Sequence, residues 1–170
     1  MISKKKVFWL RFINAIFFIA LIYIQYNSVF SLKIAQANPM LPIALLVAVC
    51  MFCSEITAAI SGVIVGIFID TTAATPQGFN AIMFLFLGLA VSLIVRHLFN
   101  NNIMSAVALC ALCCLFYLLV RWIIGFVFDA TFSENLTYLL QSILPSVLYT
   151  TVFSIPFYFL EKTLYSKFYK

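Results

Sequence analysis

Residues 55–97 read EITAAISGVIVGIFIDTTAATPQGFNAIMFLFLGLAVSLIVRH. Two apolar runs flank a short segment rich in turn-forming residues, and the charges fall at Glu55, Asp70 and Arg96. A hydrocarbon core of about 30 Å takes about 20 residues of helix at 1.5 Å each. The run Phe79–Val95 meets that length, whereas the segment between Glu55 and Asp70 is shorter. In that segment Ala58, Gly62, Gly66 and Asp70 recur every fourth residue. That spacing keeps all four on one helix face. Small residues there let a second backbone come close, which matters in a membrane because association rests on van der Waals fit. The face has two possible occupants: another helix of this chain, or a helix of a partner.

Outward from this stretch the rest of the chain has the same character. Of its 170 residues, 65% are apolar and 9% are charged. The mean hydropathy is +1.14. Soluble domains average about half apolar and a quarter charged, and a soluble chain this small has no room to hide so much apolar surface. The composition excludes a soluble enzyme, a disordered chain and a disulfide scaffold. It predicts one integral membrane domain over residues 1–170, built as an all-α bundle.

Spans are expected at about 11–29, 39–54, 56–70, 79–95, 103–128 and 138–160. The region Pro39–Asp70 decides their number. As one helix it would be about 48 Å long, too much for a single crossing. Broken near Ser54-Glu55 it gives two short helices of about 24 Å, which burial among neighbours or local thinning accommodates. The basic residues favour the break. Six spans put Lys4, Lys5, Lys6, Arg11, Arg96, Lys162, Lys167 and Lys170 on the inner side and only Lys33 outside. Both termini are then cytoplasmic, and Asp70, Asp129 and Glu134 face outward. Ala35-Gln36-Ala37 has the form of a signal-peptidase site, but it lies well beyond the apolar stretch, so the first helix is read as retained. The net charge of +5 belongs to topology and contact with anionic headgroups of the bilayer. No basic patch interleaved with aromatics suggests nucleic acid.

The remaining features concern particular side chains. Pro76 and Gly78 read as a tight turn, and Thr75 or Asn80 as capping residues. Asp70 is an acid at the edge of a bundle, where a cap or a cationic partner is expected. Arg121 lies about 12 Å inside the outer end of the fifth span by helical rise. It either snorkels outward beside Trp122 or pairs with Asp70. Glu55 and Glu161 read as lone interfacial acids, and His97 as an interfacial residue. Cys50-x-x-Cys53, Cys110-x-x-Cys113 and Cys114 have the spacing of a zinc set, but they fall within apolar helices. They are read as packing residues, with no metal. No nucleophile elbow, metalloprotease motif, phosphate loop or paired carboxylates with a base are present, so no catalytic residue, cofactor or enzyme activity is expected.

Taken in order, Asn38-Pro39 precedes a short second helix. Gly62, Gly66 and Asp70 follow on the third, then Pro76-x-Gly78-x-Asn80-Ala81, then Gly88 in the fourth. This pattern resembles the bacterial rod shape-determining protein MreD family. The resemblance implies a non-enzymatic inner-membrane component of the cell-elongation complex. Its expected partners are MreC, through it the actin-like MreB, and the peptidoglycan polymerase and transpeptidase that build sidewall. It also implies a fold similar to the substrate-binding subunits of energy-coupling-factor transporters, which supplies the alternative function of a vitamin-type transporter subunit. Such subunits dock through an Ala-x-x-x-Ala stripe in the first helix, whereas here Ala15 is followed by Ile19 and Ala20 by Ile24. Ala58, Gly62, Gly66 and Gly88 are the expected helix-packing or partner face. Asp70, Pro76, Gly78, Asn80 and Arg121 form the expected outer turn and ion pair. The topology is checked by cysteine labelling at residues 3, 74 and 170. Position 74 should react from outside and the other two from the cytoplasm; a cytoplasmic position 74 would contradict six spans.

Overall fold

The computed structural model describes residues 4–26, 39–72, 78–97, 101–128 and 143–169. They form six helices: α1 Lys4–Tyr26, α2 Leu41–Cys50, α3 Glu55–Thr72, α4 Phe79–His97, α5 Ile103–Phe128 and α6 Leu144–Tyr169. No strand occurs among the described residues. Pro76, Thr75, Asp129, Glu134 and the ends of the expected first and last spans lie outside the described residues. The region Pro39–Asp70 folds as two helices separated by Met51–Ser54. By length and composition α3, α4 and Ile103–Ile124 of α5 suffice to cross a membrane, and Arg11–Gln25 and α2 are shorter apolar helices. Lipid-facing surface is apparent on the other helices, where Ile60, Ile64, Ile67, Ile82, Phe86 and Leu112 are exposed.

Helix α2 is the centre. Every residue from Leu41 to Cys50 is buried, on all sides of the helix. Its sequence, LPIALLVAVC, lacks a polar face, as a fully enclosed helix requires. Pro42 sits in its first turn, where the missing N–H costs nothing. The other helices surround it, and the main cluster of buried side chains joins Phe18 and Ile22 of α1 to Leu45, Val49, Phe84, Val91, Cys110, Tyr117 and Val147. Cys50, Cys110, Cys113 and Cys114 are buried as free thiols and Cys53 is half-buried.

Helices α3 and α4 make the closest pairing. A Cβ on Gly88 would lie 2.7 Å from the Ala58 carbonyl oxygen. One on Gly62 would lie 2.7 Å from the Phe84 carbonyl carbon, and one on Gly66 would lie 2.5 Å from the Asn80 carbonyl oxygen. Each neighbour is backbone, so no side chain can move aside. The stripe Ala58, Gly62, Gly66 thus faces α4 of the same chain, with Gly88 answering it from the other side. Gly78 is different: its φ of +87° is left-handed, but the space around its Cβ position is empty. This yields a graded prediction for thermal unfolding in detergent. Gly62→Ala or Gly66→Ala should cost about 3 kcal/mol, the upper end for overpacking, because backbone must separate. Gly78→Ala should cost about 1 kcal/mol through φ alone. Equal effects at Gly62 and Gly78 would contradict the close approach.

Candidate functional site

Polar side chains collect at the two ends of the bundle and bind one another across helices. At the end of α3, Asp70 caps α4. Its Oδ1 accepts the backbone N–H of Asn80 at 3.2 Å and the Asn80 Nδ2 at 2.8 Å, and its Oδ2 accepts the backbone N–H of Ala81 at 3.1 Å. The first N–H groups of a helix have no partner within it. A carboxylate there satisfies them and meets the positive end of the helix dipole. Asn80 is fully buried. Its Oδ1 accepts the Tyr117 hydroxyl of α5 at 2.7 Å, so the cap is continuous with α5. The Tyr117 ring meets Phe84 edge-on, with centroids 5.5 Å apart. Both Arg121 and Asp70 are electrostatic neighbours of the Tyr117 hydroxyl. Arg121 lies one helical turn beyond Tyr117 and its side chain is exposed.

At the same end α2 is tied at its start. Gln25 Oε1 of α1 accepts the Leu41 N–H at 3.1 Å, and Thr150 Oγ1 of α6 accepts the Met40 N–H at 2.9 Å. At the far end Asn101 Nδ2 donates to the Met51 carbonyl at 3.0 Å, and the Tyr158 hydroxyl donates to the Asn101 carbonyl at 3.2 Å. Backbone groups in a membrane interior need such partners, because water does not reach them.

Two expectations are corrected here. Glu55 is not a lone acid: it pairs with Arg96 at 2.9 Å, joining the start of α3 to the end of α4. The contact is partly exposed, so it sets register more than stability. Nor is Glu161 a lone acid: it is buried among the helices at 1% exposure and accepts the Asn14 Nδ2 of α1 at 3.2 Å. Asn14, Gln25, Tyr117, Thr150 and Glu161 carried no motif. Their signal was simpler, since a polar side chain inside an apolar helix needs a partner. His97 is exposed at the end of α4. No group of three or more His, Cys, Asp or Glu among the described residues comes together to hold a metal.

Among the described residues the arrangement is that of an all-helical membrane bundle in which several polar side chains bind across helices. A family model described as rod shape-determining protein MreD matches residues 4–168, nearly the whole chain. The chain therefore belongs to the MreD family. No curated protein and no solved structure matches it. Tyr117→Phe tests the cap. It removes the hydroxyl that donates to the buried Asn80 Oδ1, which should cost about 1–3 kcal/mol in thermal unfolding. An unchanged melting temperature would mean that the hydroxyl contributes nothing to the junction of α4 and α5.

Proposed function

We propose that this rod-shape-determining membrane protein is a non-enzymatic scaffold of the cell-elongation machinery, binding MreC and through it MreB. In this reading it helps the peptidoglycan polymerase and transpeptidase insert sidewall at the inner membrane. The observation that carries the reading is the family match over residues 4–168. The use of the polar residues supports it: Asp70, Asn80 and Tyr117 hold one another, as do Glu55 and Arg96. Six spans with both termini cytoplasmic fit the lysine and arginine distribution. The α3–α4 hairpin, fixed at both ends, presents Ile60, Ile67 and Phe86 outward as a rigid apolar face for a partner helix.

We also infer that Asp70 and Arg121 act as a pair across the Tyr117 hydroxyl. A carboxylate and a guanidinium that share the buried Tyr117 hydroxyl as a neighbour attract each other, the more so because Asp70 is half-buried. One assay tests both statements. Cells depleted of the protein should round up, and the wild-type chain should restore rods and copurify with MreC. Asp70→Asn and Arg121→Gln should each impair rescue, and the double variant should do so by less than the combined effect. Full rescue without MreC copurification, or strict additivity of the two substitutions, would refute the respective statement. Copurification with an ATPase module instead of MreC would favour a transporter subunit.

A further inference from the structure

Asn14 and Glu161 join α1 to α6, one turn beyond Tyr158. Asn14 Nδ2 donates to Glu161 Oε2 at 3.2 Å, and the two residues are 6% and 1% exposed. The second oxygen of each group, Asn14 Oδ1 and Glu161 Oε1, is buried with no hydrogen-bond partner. Neither atom leaves room for a water molecule against it. A buried acceptor without a donor is costly, and here two occur on a pair already in contact. Turning the Asn14 amide over changes nothing, because the pair still holds three oxygens and one NH₂ group. One donor is missing, and no group from outside can bring it.

An ionised carboxylate only accepts, whereas a protonated one carries an O–H. Both side-chain groups are planar, and their one bond leaves Oδ1 and Oε1 as the remaining arms of the same two planes. We propose that Glu161 is held as the neutral acid and that its Oε1–H donates to Asn14 Oδ1, so that one proton closes a two-bond clasp between α1 and α6. When that proton passes to solvent, a carboxylate without a cation is left inside the bundle facing the Asn14 oxygen, and α1 loses its fastening to α6.

The surroundings suit the neutral form. Arg11, one turn before Asn14 on α1, is exposed and donates to Thr57 Oγ1 at 3.0 Å. No ion pair to Glu161 occurs among the described residues. Cys53, between α2 and α3, is an electrostatic neighbour of both Glu161 and Arg11, and Cys50 of α2 is a neighbour of Cys53. On α6 itself the Lys162 ammonium lies over the Tyr158 ring. Glu55 of α3 is paired with Arg96 of α4, and the one charged residue of α5, Arg121, lies near Tyr117 at the other end. Residue 161 follows the end expected for the last span, and burial holds its carboxyl up at about 7 against the lowering pull of the Asn14 amide. In the unfolded chain a glutamate titrates near 4.3. The fold therefore binds this proton more tightly, so the stability it adds is complete below about pH 4 and is lost as pH rises through about 7.

The test is denaturant unfolding of the full chain in detergent from about pH 5 to about pH 8, for the wild type and Glu161→Gln. Glutamine brings its own N–H, so this variant keeps both bonds of the clasp with no proton to lose. Relative to it, the wild-type unfolding constant should rise about tenfold for each unit up to about pH 7 and then level off. His97→Gln should leave this dependence unchanged, although histidine titrates in the same range. Infrared spectra of the wild type at about pH 6 should show the carbonyl stretch of a protonated acid, absent from Glu161→Gln. The chain has only five acids, so that band can be assigned. A wild type that matches Glu161→Gln at every pH, a dependence that vanishes with His97, or a spectrum without the acid band would overturn the proposal. Failure of Glu161→Gln to fold would overturn it too, because the charge would then be needed.

Discussion

The close backbone contact between α3 and α4 sets the geometry of everything around it. In lipid, two apolar helices gain little from hydrophobic burial, so they hold together only where surfaces fit. Gly62 and Gly66 bring α3 against the Phe84 and Asn80 carbonyls, and Gly88 brings α4 against the Ala58 carbonyl. The pairing is thus fixed along its length by the absence of side chains. Its ends are fixed by charge: Asp70 reaches the first amides of α4, and Arg96 reaches Glu55. A slip of one turn, about 5.4 Å, would break both ends and drive glycines against side chains. The register is specified three times over, by contacts of different kinds.

The second constraint is the short, enclosed α2. A helix this short leaves a large share of its backbone groups at termini, and it is enclosed by the other helices. Partners come from three sides: Gln25 on α1, Thr150 on α6 and Asn101 before α5. These side chains anchor the outer helices to the centre as much as they cap it. Asn80 and Tyr117 do the same for α4 and α5. These polar residues are therefore assembly contacts, whereas Asn14 Oδ1 and Glu161 Oε1 are buried without a hydrogen-bond partner.

Much of this is readable from the residues, for definite reasons. The helical membrane class follows from composition. The break in Pro39–Asp70 follows from length, since a single helix would overshoot the bilayer. The Ala58, Gly62, Gly66 stripe is visible from its spacing, but which helix occupies it is not. That depends on the turn through Gly78 folding α4 back along the same face, and on Gly88 facing it. Asp70 was legible as an acid needing a partner; that its partners are the amides of Asn80 and Ala81 depends on the approach of α3 to α4. Glu161 reads as a lone acid from sequence because the end of an apolar run does not reveal which helix lies beside it. Its position is decided by α1 passing over it with Asn14 at the right turn, a relation between residues 147 apart.

Helices α3 and α4, locked by their glycines, should open as one unit. Hydrogen exchange of the chain in lipid nanodiscs, followed by mass spectrometry, measures this directly. Amides of Gly62–Ile69 and of Phe84–Val91 should exchange more slowly than those of α1 and α6, and should become exposed together as denaturant is raised. Exchange of α3 at a lower denaturant concentration than α4, or of both before α1, would contradict a hairpin locked by its glycines and its two charged ends.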